Sequence, residues 1–196
     1  LELQESKECV RVDGGGANGI RNGKDEAAIS EPGRREAFLS HSNKEHIFGM
    51  VWIVLHIGML MRQGLYRGEF TVHCHRELAV KFRTILELTL VPAALKCLDA
   101  GIRISPVEDG ETRPVLGRDV TFFDIHSTKA QQFGLTLRQE DGGTLPFPGD
   151  LPFHGRCHAY ALACRCLLHE DFCLLSRPER LHPYDKHHRP VSDPPQ

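Results

Sequence analysis

The sequence lacks a strong charge of either sign. Its 24 lysines and arginines stand against 26 aspartates and glutamates, which gives a formal net charge of -2. That balance excludes a protein that coats nucleic acid through overall positive charge, although a local basic patch remains compatible with it. The chain also has no P-loop, no Gly-x-Ser-x-Gly elbow and no internal repeat. Phosphate-loop, α/β-hydrolase and repeat architectures therefore find no support in its motifs.

Long hydrophobic runs are equally scarce. The segment from Ile47 to Met61 is apolar except for Gly49, His56 and Gly58. As a helix it would span roughly 22 Å, which is short of the ~30 Å hydrocarbon core of a bilayer. We therefore expect a buried central helix and no membrane partner.

A secretory pattern is missing as well. The first ten residues are polar and acidic, and the seven cysteines are odd in number and irregularly spaced. Secreted disulfide scaffolds usually show even, dense cysteine patterns. These observations predict an intracellular, soluble protein, cytoplasmic or nuclear, with reduced thiols.

The apolar periodicity that is present predicts a single α/β (or α+β) domain over 1–175, with a mixed sheet, a buried central helix and flanking helices. Ser42 and Glu45 fit a capping box at the start of the central helix. A proline-rich stretch over 176–196 predicts a disordered tail. The predicted strands are 8–12, 69–74, 102–104, 120–125 and 133–138, and the predicted helices are 43–62, 76–90, 93–99 and 155–175, with a loop-rich region over 105–155.

One family resemblance emerges from the first half of the chain. An Asp-Gly pair closes the strand at Val10–Gly14, and a stretch rich in glycine and asparagine follows over 16–28. Ser42–Lys44 precedes the long apolar helix, and Glu69–Val80 supplies a further strand and helix. Over about 13–100 this order resembles the opening of the ribonuclease H-like superfamily.

The resemblance implies a nucleic-acid-binding domain that acts on RNA or an RNA–DNA hybrid, with Mg²⁺ or Mn²⁺ held by clustered carboxylates. Asp13 matches the first ligand, although a turn residue before glycines also explains it. The second ligand position falls on Ile47, so Glu45 is the nearest acidic candidate. The third position holds His73–His75. Later candidates are Asp119, Asp124 and His126, of which we assign Asp124. The catalytic site is thus expected to be incomplete; if active, the protein would be a divalent-metal-dependent ribonuclease.

Basic side chains on the second predicted helix are the candidate nucleic-acid contacts. They are Arg76, Lys81 and Arg83. The resemblance implies that they meet phosphates, and such binding weakens steeply with salt.

A second constellation consists of histidine and cysteine. Cys166, His169 and Cys173 lie at i, i+3 and i+7 of the last predicted helix, where thiolates and an imidazole could bind Zn²⁺. No Cys-x₂-Cys pair accompanies them, and structural packing explains buried cysteines equally well. The alternative function is therefore a zinc-stabilised or metal-free protein-interaction module without catalysis.

Overall fold

The computed structural model describes residues 2–5, 8–13, 34–128, 130–149 and 164. Its first sheet contains β1 (Glu2–Glu5), β2 (Glu8–Val12), β3 (Arg34–Phe38), β4 (Phe70–His75) and β5 (Ile102–Val107). The helices are α1 (Lys44–Arg62), α2 (Arg76–Thr89) and α3 (Pro92–Leu95). A second sheet contains β6 (Thr112–Val115), β7 (Arg118–Asp124), β8 (Phe133–Arg138) and β9 (Thr144–Phe147).

The two sheets differ in strand direction. The first has the order β1-β2-β3-β4-β5, and its strands run parallel from β2 to β5, while β1 pairs antiparallel with β2. The second is wholly antiparallel, in the order β6-β7-β8-β9. Parallel neighbours need a long crossover, which α1 supplies between β3 and β4. All four parallel strands therefore end at one edge of the first sheet.

The helices cover one face of the first sheet. Because successive strand residues point to opposite faces, Ala37 and Leu39 face the helices while Phe38 faces away. Met50, Ile53 and other buried residues of α1 complete this helix-side core. Burial of such apolar side chains is the main stabilising contribution to folding.

The other face of the first sheet packs against the second sheet. Val10, Val12 and Phe38 share a buried cluster there with Phe122 and Leu135. The rings of Phe38 and Phe122 lie 5.5 Å apart, within the range of favourable aromatic pairs. The described architecture thus has three layers: helices, a mostly parallel sheet and an antiparallel sheet.

The α/β class is confirmed, and the predicted ribonuclease H-like order is wrong. That order would place the strand over 8–12 at the centre of a single mixed sheet. Instead β2 lies second from one edge, and β3, a strand that was not predicted, occupies the centre. The region predicted to be loop-rich contains a whole sheet, because Thr112–Val115 and Thr144–Phe147 pair with the two strands that were predicted there.

The predicted capping box is also wrong. Helix α1 starts one residue later than Ser42 would require, with Asn43 as its N-cap and no side-chain cap hydrogen bond. Glu45 lies exposed in the first turn, where its negative charge still interacts favourably with the positive end of the helix dipole.

Helix α1 is, among the described residues, the one helix long and apolar enough to cross a membrane, judged by length and composition. Eight of its residues, including Ile47, Met50 and Ile57, are buried within the protein. The predicted buried central helix is therefore present, although one side of it remains exposed.

The predicted disordered tail over 176–196 and the domain boundary before it lie outside the described residues. The predicted helix over 155–175 does so too, except for Cys164, which forms an isolated parallel bridge with Thr144.

Candidate functional site

Polar residues gather where the parallel strands end. Asp13 follows β2, Ser40 and His41 follow β3, and His75 closes β4. These strands are neighbours in the sheet, so their carboxyl ends bring the side chains to one edge. Open parallel sheets characteristically bind ligands at this edge. It is the natural place to look for a functional site.

Asp13 is the centre of this group. Its backbone adopts a φ of 55°, a conformation that aspartate tolerates better than most residues, and its N–H donates to the Phe38 carbonyl at 2.7 Å. Oδ1 accepts the Ser40 N–H at 2.8 Å, and Oδ2 accepts the Ser40 hydroxyl at 2.7 Å. The residue is 6% exposed. A buried carboxylate is tolerable only with such hydrogen bonds.

Two histidines complete the group. The Ser40 Oγ lies 2.8 Å from His41 Nδ1, and Oδ2 of Asp13 lies 3.2 Å from His46 Nδ1. Both histidines are buried, and their ring centroids are 4.2 Å apart. We refer to Asp13, Ser40, His41 and His46 as the edge cluster.

The edge cluster fixes which nitrogen of the His41 ring carries a proton. The Ser40 hydroxyl donates to Asp13, so its oxygen accepts from His41, whose Nδ1 must then carry the hydrogen. In the neutral form of His41 the lone pair therefore resides on Nε2. The Nδ1 of His46 lies 3.2 Å from the same carboxylate, but the two atoms do not meet hydrogen-bond geometry.

The second sheet is tied to this edge. The Phe133 N–H donates to the Ser40 carbonyl at 3.1 Å, and the Ile125 N–H donates to the Gln132 carbonyl at 3.0 Å. The loop between β7 and β8 is thereby held against the carboxyl edge of the first sheet. His126 lies on this loop with a φ of 52° and a half-exposed side chain.

His75 connects the edge to helix α2. Its Nδ1 accepts the Leu78 N–H at 3.3 Å and so caps the helix. Its ring lies 5.4 Å from that of Phe133. Burial lowers the pKa of His75 below its usual 6.5, against the opposing influence of Glu77 and Asp124. His75 is therefore held neutral at physiological pH.

The three predicted carboxylate ligands do not come together. Asp13 belongs to the edge cluster, Glu45 lies exposed on α1, and Asp124 organises its own loop by accepting from the His126 N–H at 2.7 Å and from Gln131 Nε2 at 3.0 Å. Among the described residues, no group of three histidine, cysteine, aspartate or glutamate side chains is arranged to hold a metal ion.

The three predicted nucleic-acid contacts are exposed and each is paired with an acid. Arg76 pairs with Glu108, Lys81 with Glu77, and Arg83 with both Glu87 and Asp99. The hydrogen bond from Lys81 lowers the pKa of Glu77, and Asp99 raises that of Arg83 further. Their contact with phosphate remains a prediction.

The cysteine and the histidine at the centre of β4 face opposite sides of the sheet. On β4, Cys74 faces the helices and His73 faces the second sheet, as the strand alternation predicts. Burial raises the pKa of the Cys74 thiol to about 12, so it does not supply a thiolate at neutral pH. The alternative zinc ligands Cys166, His169 and Cys173 lie outside the described residues.

Ser40, His41 and His46 were missed by sequence reasoning. The sequence signal was a Ser-His pair followed by a histidine at the start of an apolar helix. This signal could be interpreted only if Arg34–Phe38 had been identified as a strand, because the end of that strand positions Ser40 and His41.

No protein-family model and no curated protein matches the sequence significantly. Solved structures do resemble the fold. The metallo-β-lactamase fold protein YhfI from Bacillus subtilis is 11% identical with a TM-score of 0.69, over 89% of this chain and 65% of that one. The short form of human tRNase Z is 15% identical with a TM-score of 0.64, over 96% and 76%. A diphosphatase from the PhnP family is 11% identical with a TM-score of 0.63, over 85% and 57%.

These likenesses overturn the ribonuclease H-like resemblance. The neighbours belong to a different superfamily, and the chain spans somewhat less than two thirds of the length of YhfI. Identities this low establish the fold and nothing more about activity. The chain has the metallo-β-lactamase fold.

Proposed function

We propose that this chain is a metal-dependent hydrolase of the metallo-β-lactamase fold that acts on phosphodiesters, with RNA as its substrate class. In this proposal His41 and His46 are two of the metal ligands. The observation that carries it is a single buried carboxylate, Asp13, which sets the tautomer of His41 through the Ser40 hydroxyl and lies 3.2 Å from the His46 ring.

The donor set fits a metal ion in its chemistry. A metal-binding histidine almost always donates its second ring N–H to a carboxylate, a carbonyl or water, which fixes the ring and frees the other nitrogen. Asp13 does this for His41 through the Ser40 hydroxyl, and its Oδ2 lies 3.2 Å from Nδ1 of His46. A pair of imidazoles favours Zn²⁺ over the Mg²⁺ implied by the earlier resemblance.

Catalytic zinc takes three protein ligands, so two histidines are a partial set. His126 offers a third imidazole on the loop that Phe133 anchors to Ser40. The experiment below includes His126 for this reason.

When bound, such an ion supplies a hydroxide nucleophile at neutral pH and polarises the phosphoryl oxygens. The residues of the chain have supporting tasks. Through the Ser40 hydroxyl, Asp13 keeps Nδ1 of His41 protonated. The burial of this cluster prevents water from competing for those hydrogen bonds.

The substrate class draws on the neighbours and on the shape of the edge. Two of the similar structures, a tRNase and a diphosphatase by name, have this fold. An open cavity of about 360 Å³ lies beside His75, lined also by Arg76, Gln131 and the acidic Glu77 and Glu108; no residue of the edge cluster lines it. Arg76 there is 75% exposed, so its pairing with Glu108 can be exchanged for a phosphate at little cost. We therefore keep Arg76 as a proposed phosphate contact.

The decisive experiment measures zinc content and RNA cleavage together on the full chain. The chain is loaded with Zn²⁺, dialysed and analysed for bound metal, then given a labelled structured RNA and bis(4-nitrophenyl) phosphate. We expect zinc binding in the parent and its loss in His41→Ala and His46→Ala. Asp13→Asn should weaken zinc binding by about 10- to 100-fold, because it acts through the histidines. His126→Ala tests the third ligand.

His73→Phe is the matched control, because His73 is a buried histidine that lies between the sheets rather than at the edge. It should keep the parental zinc content. Zinc retained after loss of both His41 and His46 would refute the assigned ligands. RNA binding without cleavage by zinc-loaded protein would instead support a non-catalytic interaction module.

A further inference from the structure

Helix α1 carries an exposed stripe on the side that faces away from the core. Phe48, Trp52 and Met59 are 54%, 55% and 43% exposed, and Leu55 between them is half-buried. Exposed aromatic side chains grouped in this way are typical of interaction surfaces. The stripe is unusual for a helix whose opposite side forms the core of the protein.

The spacing of the stripe is that of a coiled-coil seam. The residues follow one another at alternating intervals of three and four, which keeps them on one narrow face of a helix. The same alternation extends to a charged residue at each end. The complete seam is Glu45, Phe48, Trp52, Leu55, Met59 and Arg62.

The seam is also symmetric about its centre. Trp52 and Leu55, Phe48 and Met59, and Glu45 and Arg62 are each equidistant from the Ile53–Val54 peptide bond. If a second copy of α1 is laid antiparallel across the first, each residue meets the other member of its pair. The two aromatic side chains then meet aliphatic ones, and Glu45 meets Arg62 of the partner at both ends.

The charges cannot satisfy one another within one chain. Glu45 and Arg62 lie about 25 Å apart along the helix axis, and within the described ranges no other side chain pairs with either. Their opposite signs at opposite ends complement an antiparallel copy and would repel a parallel one.

We propose that α1 is the two-fold interface of a homodimer, in which two copies of the seam pair antiparallel. A second copy fits better than a bilayer, because a membrane surface offers nothing specific to the two terminal charges. The interface is isologous, so each substitution acts twice in the dimer.

The experiment is a charge exchange followed by sedimentation velocity and by the fluorescence of Trp52, the only tryptophan in the chain. The parent should sediment as a dimer, and its Trp52 emission should shift to longer wavelength as the protein is diluted. Glu45→Arg and Arg62→Glu alone should each raise the dimer dissociation constant by about tenfold or more. The double variant should recover most of the parental value.

Trp52→Glu is the companion variant and should leave a monomer, because it places a charge at the centre of the seam. Circular dichroism checks that each variant retains its helices. A parent that is monomeric at all concentrations would overturn the proposal. A double variant whose dimer dissociation constant is as high as those of the single variants would also overturn it, because recovery requires the two charges to meet across the two-fold axis.

Phosphatidylcholine vesicles provide the opposing outcome. A monomeric parent whose Trp52 emission shifts to shorter wavelength on addition of vesicles would assign the stripe to a membrane and would contradict the dimer.

Discussion

Two regions of the molecule bury a histidine beside a carboxylate, and they differ in almost every other respect. At the carboxyl edge, Asp13 accepts hydrogen bonds from Ser40 and faces His46 at 3.2 Å. Between the sheets, Nε2 of His73 lies 3.7 Å from Oε2 of Glu36, and neither atom makes a hydrogen bond to a described residue. Both oxygens of Asp13 accept hydrogen bonds from Ser40, although its contact with His46 does not meet hydrogen-bond geometry, whereas the second pair is held only by the packing around it.

The difference shows what the backbone contributes to a polar site. Asp13 and Ser40 come from the ends of adjacent strands, where main-chain N–H groups are no longer used by the ladder and can serve a carboxylate. Glu36 and His73 lie within strands, where those groups are already taken. A buried carboxylate at the sheet edge is therefore stabilised by main-chain donors, whereas one within a strand has no such donors left.

Loss of the edge carboxylate should have the largest effect. Asp13→Ala leaves the Ser40 N–H and hydroxyl without their acceptor. At about 1–3 kcal/mol for each buried donor left unsatisfied, we expect the free energy of unfolding to fall by about 2–6 kcal/mol. Urea denaturation followed by far-UV circular dichroism measures it. Glu36→Ala is the comparison, and a loss as large as that of Asp13→Ala would end the distinction between the two regions.

An intermediate effect should come from His75, which lies at the edge but caps a helix instead of facing a carboxylate. Because burial lowers its folded-state pKa, the unfolded chain binds the proton first. Its contribution to stability is complete above pH 6.5 and is lost as the pH falls from there through the folded pKa. His75→Asn keeps a capping oxygen and removes the titration, so its unfolding free energy should depend less on pH between 7 and 5. An unchanged pH dependence would show that His75 does not titrate in this way.

The smallest effect should follow from His73→Phe. The new ring has a similar shape, can pack on Phe122 as the imidazole does at 5.6 Å, and removes two buried nitrogens that lack hydrogen bonds. We expect a change in the free energy of unfolding within about 1 kcal/mol, with either sign, because no satisfied hydrogen bond is lost. His46→Phe at the edge should cost more, and equal losses in the two thermal melts would contradict the comparison.

Local pattern was enough to predict one strand in each sheet and the two long helices. The strand over 8–12 and the one over 133–138 have the predicted bounds, and the helices of residues 44–62 and 76–89 differ from prediction by one residue at an end. In each, the apolar period or the flanking glycine and proline residues determine the element.

The rest depended on pairing that a local pattern does not contain. Arg34–Phe38 has two arginines and a glutamate and is a strand because parallel neighbours flank it on both sides. The second sheet consists of short strands, with prolines at Pro114 and Pro146, that support one another. Without β3, His41 and His46 had no visible link to Asp13, so the predicted site joined Asp13 to Glu45 and Asp124 instead.

Ser40 uses its N–H and its hydroxyl on Asp13, and its carbonyl accepts from Phe133. One residue thus joins the strand ends, the histidines and the antiparallel sheet. Amide hydrogen exchange should register this directly: the Ser40 and Phe133 protons are expected to exchange at the same slow rate, through a single opening event. The orientation of the histidines would then persist for as long as the two sheets stay closed, and it would be lost in the same event that separates them.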